Sequence, residues 1–100
     1  MGAHNFEHYQ YGSTPEEAFR DAQEEARFEY GHNPYNGTIS TVSGFVHIPL
    51  EEGEKEGEWA HRVLDDPRVQ KREDCAYRVD EKEPDENGRR LYIFAGWAAC

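Results

Sequence analysis

The run STPEEAFRDAQEEARFEYG, residues 13–31, is a helix with both of its ends marked. Thr14 is placed to cap the amino end, Pro15 suits the first helical position, and Glu17 stands three residues on to close a capping box. Gly31 supplies the left-handed residue with which helices commonly end. These signals predict a helix from Pro15 to Tyr30. On a helical wheel Pro15, Ala18, Phe19, Ala22, Ala26 and Tyr30 share one stripe, while Glu17, Arg20, Glu24 and Arg27 face away. A stripe dominated by alanine lets the helix lie close against another layer. The rest of the chain must therefore supply a sheet.

Several segments have strand character. Residues 4–11, HNFEHYQY, alternate Phe6, His8 and Gln10 against Asn5, Glu7, Tyr9 and Tyr11, which suits a strand with one aromatic edge. Thr38 to Thr41 and Phe45 to Ile48 flank a short break at Ser43-Gly44 and read as a hairpin. In EGEWAHRVLDD, Trp59, Ala60, Val63 and Leu64 recur at helical spacing until Pro67, giving a second, shorter helix. Cys75, Tyr77 and Val79 alternate with Ala76, Arg78 and Asp80. Across a turn at 81–88, residues 91–97 are apolar on both faces, as in a central strand. The order βαββαββ predicts an α+β domain: a single two-layer unit over 1–100, with a mainly antiparallel sheet and two helices on one face. One hundred residues suffice for one such core.

Charge narrows the partners. The formal net charge is −10, concentrated in EEGEKEGE at 51–58 and DEKEPDE at 80–86, each with five acids and one lysine. Both read as solvated loops, near 51–58 and 80–88. Nucleic-acid affinity depends on lysine and arginine displacing counterions, so this field argues against direct DNA or RNA binding and against an anionic membrane. It favours a protein partner with a basic surface. No apolar run approaches the ~20 residues needed to span a bilayer, and MGAHNFEHYQ carries no basic segment followed by an apolar one, which points to the cytoplasm. Phe6 stands where a myristoylation signal wants Ser or Thr. If 75–80 and 90–97 pair, Cys75 sits opposite about residue 95, too far from Cys100 for an internal disulfide.

Few constellations carry chemistry. GHNPYNGTIS, residues 31–40, follows a helix carboxyl end, where the dipole disfavours phosphate but favours a protonated His32. The asparagine, proline and glycine residues are turn formers, so His32 and Tyr35 are the two ring-bearing side chains that connection alone leaves unexplained. His4, His8, His32, His47, His61, Cys75 and Cys100 lack the paired spacings of a zinc site, so no metal and no cofactor are expected. DENG at 85–88 lacks the later carboxylate of a calcium loop and reads as a turn. No serine, threonine or cysteine is set beside a base in a recognisable catalytic motif, which leans away from an enzyme. Phe28 falls off the apolar stripe, beside Asp21 and Glu25.

EEAFRDAQEEARFEYGHNPYNGTIS together with the ending FAGWAAC resembles a group of small uncharacterised proteins encoded by tailed bacteriophages, in which an acidic alanine-rich helix runs into a Gly-Thr-Ile segment. The likeness covers roughly a third of the chain and implies a phage origin and action in the host cytoplasm, without a mechanism. The expectation is a small acidic accessory protein that binds a host or phage protein and inhibits a host process, including by mimicry of nucleic acid with its carboxylates. Two alternatives stand beside it. One is a small-molecule or nucleotide binder, or an enzyme, using the 31–40 loop; the other is a homo-oligomeric structural component. Candidate ligand- or partner-binding residues are His32, Tyr35, Asn36, Thr38 and Phe28.

Overall fold

The computed structural model describes residues 3–30, 38–70, 74–80 and 83–99. In chain order the elements are β1 (Ala3–Gly12), α1 (Pro15–Tyr30), a single 3-10 turn (Ile39–Thr41), β2 (Gly44–His47), α2 (Glu56–Leu64), α3 (Pro67–Gln70), β3 (Asp74–Val79) and β4 (Arg90–Ala99). One α+β domain results. The four strands form a sheet in the order β1-β4-β3-β2. β4 pairs antiparallel with both neighbours, whereas β2 and β3 run parallel.

The first helix forms as its sequence dictates. Thr14 Oγ1 accepts a hydrogen bond from the Glu17 amide at 3.1 Å, and Ala18, Phe19, Ala22 and Ala26 are buried. Close approach is enforced at Gly12, where an added Cβ would lie 2.9 Å from the Ala18 Cβ and 3.0 Å from its backbone nitrogen. The Phe19 ring meets Phe45 at 4.9 Å and Phe94 at 5.7 Å between centroids.

The expected strand over Thr38 to Thr41 does not form, and neither does its hairpin with Phe45 to Ile48. Local hydroxyls capture the backbone instead. Thr38 Oγ1 accepts from the Ser40 amide at 3.3 Å, the Thr41 hydroxyl donates to the Thr38 carbonyl at 2.9 Å, and Gln23 of α1 donates to the Val42 and Ile39 carbonyls at 2.7 and 3.3 Å. Serine and threonine side chains offer such alternatives to a ladder and here outweigh β propensity. Ile39 is buried against α1. β2 then finds its partner in β3, with Phe45 opposite Cys75, and α2 and α3 provide the long crossover that a parallel pair requires.

The two principal helices do not share a face of the sheet. Tyr92 and Phe94 of β4 pack with Ala18, Phe19, Ala22 and Ala26, while Ile93 and Ala95 pack with Trp59, Val63 and Val69. Successive strand residues point to opposite faces, so α1 covers one side and α2 with α3 the other. The reason lies in β4, whose two apolar faces both need cover. On the second side Trp59 is fully buried and its indole donates to the Ile48 carbonyl at 2.6 Å, and the Trp97 indole donates to the Leu64 carbonyl at 2.9 Å. Pro67 opens α3 rather than simply ending the helical run. Asp66 caps that turn through the Arg68 amide at 2.9 Å. Between β3 and β4, DENG forms a turn in which Asp85 accepts from the amides of Asn87 and Arg89 at 3.0 and 2.8 Å, with Gly88 at φ 75°. Ala76 lies opposite Ala95, so Cys75 sits one position away from its expected register, with its Cβ 2.8 Å from where a side chain on Gly96 would begin. Cys75 is a buried free thiol, and Cys100 lies outside the described residues.

Part of the acidic segment at 51–58 is anchored. Arg62 grips Glu54 with Nε at 2.7 Å and Nη2 at 2.9 Å, and donates to the Pro49 carbonyl at 3.0 Å. Its guanidinium and the Glu51 amide hold the Glu54 carboxyl down, from 4.5 to about 2; Arg68 does the same for Asp66, from 3.8 to about 2.

Two outcomes are expected. Gly12→Ala should lower stability by about 1–3 kcal/mol in urea unfolding, because the added methyl collides with α1. Glu54 and Asp66 have folded values below their unfolded ones, so their stabilisation is complete above their ordinary range and drains away as pH falls towards about 2. Urea midpoints measured from pH 7 to pH 2 should fall through that window, and E54Q and D66N should each flatten the fall.

Candidate functional site

β1 stands at the sheet's edge, and among the described residues no strand pairs with its outer side. It is ten residues long, with alternating exposure. Phe6, His8 and Gln10 lie opposite Gly96, Phe94 and Tyr92, on the side covered by α1. Asn5, Glu7, Tyr9 and Tyr11 lie opposite Trp97, Ala95, Ile93 and Leu91, on the side of α2. α2 packs over β4 and does not reach across Tyr9 and Tyr11, which are left 49% and 46% exposed. A groove of about 320 Å³ runs between β1 and α2, walled by Asn5, Glu7, Ala60, His61 and Leu64, with Ala95 contributed by β4.

The face is partly fixed. The Tyr9 hydroxyl donates to Glu7 Oε1 at 2.6 Å across one residue of strand. A carboxylate that accepts this proton disfavours the phenolate, and Tyr9 is pushed up to about 12, chiefly by that bond and then by burial. At physiological pH the pair presents a neutral aromatic ring beside a carboxylate. β1 itself contains neither lysine, arginine nor proline, the residues with which exposed edges are commonly blunted.

The residues expected from sequence are dispersed. His32, Tyr35 and Asn36 lie outside the described residues. Thr38 caps the 3-10 turn and borders a second cleft, of about 290 Å³, with Phe6 and His8 of β1 and Glu25, Ala26 and Glu29 of α1. Phe28 is 92% exposed on α1 and does not border that cleft. The two do not form one site. Tyr9 and Tyr11 were visible in the alternation of 4–11, but alternation does not reveal which side a later helix will cover.

Burial pushes the Cys75 thiol up, away from the thiolate a nucleophile needs. His47 stacks on Tyr77 at 4.9 Å between centroids and 21° between planes. Among the described residues no three histidine, cysteine or carboxylate side chains gather as a metal site, and no helix is long and apolar enough to cross a membrane. Glu51 and Glu54 both lie within ion-pair distance of Arg62, at 3.6 and 2.7 Å. No family model, curated protein or solved structure matches the chain.

The Glu7–Tyr9 contact is open to direct titration. Glu7→Gln should move the Tyr9 phenol from about 12 back towards 10.0, followed by ultraviolet absorbance on raising pH. An unchanged titration would show that the carboxylate does not hold the phenol.

Proposed function

We propose that this chain is a small acidic accessory protein of a tailed bacteriophage that acts by binding another protein, host or phage, through the exposed side of β1. The phage assignment rests on the resemblance of the helix and Gly-Thr-Ile segment. The binding assignment rests on one observation: Tyr9 and Tyr11 stand half exposed on an edge strand whose outer side pairs with no strand among the described residues, on the face that carries the α2 groove. Tyrosine supplies contact area and a polar tip at low entropic cost, and is enriched where proteins meet. An open edge also offers main-chain hydrogen bonds to an added strand.

Charge selects the occupant. The chain carries a formal −10, Glu7 lines the groove and Glu56 acts electrostatically on Tyr9, against Arg89 at the far end of the strand, which donates to the Tyr11 carbonyl at 2.9 Å. An extended, basic segment of a partner meets both the geometry and the field. A second copy of the chain would bring like charge to like. Inhibition of a host process would follow where that basic segment is the partner's own working surface.

The test compares variants rather than asking only whether something is captured. Protein retained from host lysate by the wild type at physiological salt should be lost with the double variant Tyr9→Glu/Tyr11→Glu, kept by Phe28→Glu, and weakened by added salt. Retention that ignores the tyrosines, or that falls equally with Phe28→Glu, would overturn the assignment of the surface. A mass of two chains in light scattering that reverts to one with the same double variant would assign β1 to self-association instead.

A further inference from the structure

The outward-facing backbone groups of β1 follow from the ladder on its other side. The Leu91 carbonyl accepts from the Asp80 amide at 2.9 Å, so the polar backbone groups of Leu91 are turned towards β3. Tyr11, its cross-strand partner on β1, therefore stands at a position without ladder bonds to β4, and its own N–H and C=O point away from the sheet. The register runs unbroken from Ala3 to Gly12, and the pattern repeats at every second residue, so the backbone groups of Asn5, Glu7 and Tyr9 face outward too. Arg89 Nη2 donates to the Tyr11 carbonyl at 2.9 Å, taking the bond that a further strand would make there. The row from Asn5 to Tyr9 is left, and among the described residues no strand takes it.

The two faces that flank this row differ in charge. On the α2 side stand the side chains of Asn5, Glu7 and Tyr9, with the Glu7 carboxylate engaged by the Tyr9 hydroxyl at 2.6 Å. On the α1 side Phe6 and His8 border the cleft of about 290 Å³, whose other wall carries Glu25 and Glu29, one helical turn apart and both exposed. Neither glutamate has an ion-pair partner among the described residues. A strand laid along the row sends successive side chains alternately to these two sides.

We propose that β1 binds its partner by strand addition, taking an antiparallel segment in which apolar and basic residues alternate. The inference rests on β1 being the binding face and specifies what that face accepts. Apolar residues opposite Asn5, Glu7 and Tyr9 exchange main-chain hydrogen bonds with them and lie along the Tyr9 ring. Lysines or arginines opposite Phe6 and His8 reach across the cleft to Glu25 and Glu29. An antiparallel guest is favoured because its bonds run perpendicular to the strands and pair slightly more stably than slanted parallel ones. A second β1 does not fit the pattern, since AHNFEHYQYG holds neither lysine nor arginine.

The test uses the full chain and the synthetic peptide acetyl-Val-Lys-Val-Lys-Val-amide, with amide hydrogen exchange read by NMR. The peptide should slow exchange at Asn5, Glu7 and Tyr9 and leave Phe6 and His8, already bonded to β4, little changed. N-methylation of the valines, whose N–H groups face β1, should weaken binding by roughly ten-fold or more, because several main-chain bonds are lost together. N-methylation of the lysines, whose N–H groups face away, should leave it unchanged. The double variant Glu25→Gln/Glu29→Gln should weaken binding, as should glutamate in place of each lysine of the peptide. Equal loss from both methylation patterns, or unchanged exchange at Asn5, Glu7 and Tyr9 in the saturated complex, would overturn strand addition; so would a peptide that does not bind saturably. Unaltered affinity in Glu25→Gln/Glu29→Gln would overturn the placement of the basic residues. Slowing of the same amides on concentrating the protein without peptide would give the edge to a second copy. None of these results alters the lysate comparison with Tyr9→Glu/Tyr11→Glu, which judges the binding face by itself.

Discussion

β4 is the strand on which the rest of the structure depends, because it is apolar on both faces and hydrogen-bonded on both edges. Phe94 alone meets Phe19, Phe45 and Tyr77 at 5.7, 6.3 and 6.0 Å between ring centroids. On the reverse side Ile93 and Ala95 pack with Trp59, Val63 and Val69. Neither face can be left to water, since each buried aromatic or branched side chain is worth roughly 1.5–3 kcal/mol. Two helical layers are the consequence. The cover is unequal, however: the α1 layer reaches β1, whereas α2 and α3 sit over β3 and β4. The exposed tyrosines of β1 therefore arise from how far α2 extends, not from an excess of apolar residues in β1.

Elements with strong local signals were legible in the sequence, and those settled by partners at long range were not. Thr14, Pro15 and the alanine stripe define α1, and Trp59 with Val63 defines the buried face of α2. The double-sided pattern of residues 91–97 identifies the central strand. Thr38 to Thr41 misled because β-branched residues favour strands on average. Here their hydroxyls bind neighbouring backbone, and Gln23, far back along the chain, takes the carbonyls a partner strand would need. Nothing in TISTV announces that Gln23 will arrive. The faces of the sheet were equally hidden, since alternation assigns residues to two sides without saying which helix will cover either.

The acid surplus becomes more specific once the arginines are placed. Sequence presents 51–58 as a uniform acidic block, yet Glu54 is clasped by Arg62 and Glu58 Oε1 accepts from the Lys55 amide at 3.4 Å. These carboxylates fasten the segment leading into α2 to the helix itself. Surface ion pairs contribute little singly. The bidentate geometry and the added bond to the Pro49 carbonyl make Arg62 a clamp on local chain direction as much as a charge pair. Part of the acidity is therefore consumed in organising the fold.

Arg78 differs from those clamps in being costly where they are not. Removing a guanidinium from water costs several kcal/mol unless its donors are matched, and the Trp59 face returns only about 0.5–2 kcal/mol. A methionine in the same place would fill much of the volume without that penalty. Packing alone therefore does not account for an arginine here, and its two unmatched nitrogens stand buried beside the Trp59 ring. Its position also bears on β1, because Ile93 is the cross-strand partner of both Arg78 and Tyr9. The three residues form a row across the sheet, so the Tyr9 and Arg78 backbones stand about two strand spacings apart, roughly 10 Å. Glu56, the ion-pair partner of Arg78, also acts electrostatically on Tyr9. The first turn of α2 thus couples the exposed aromatic face of β1 to the buried guanidinium on β3.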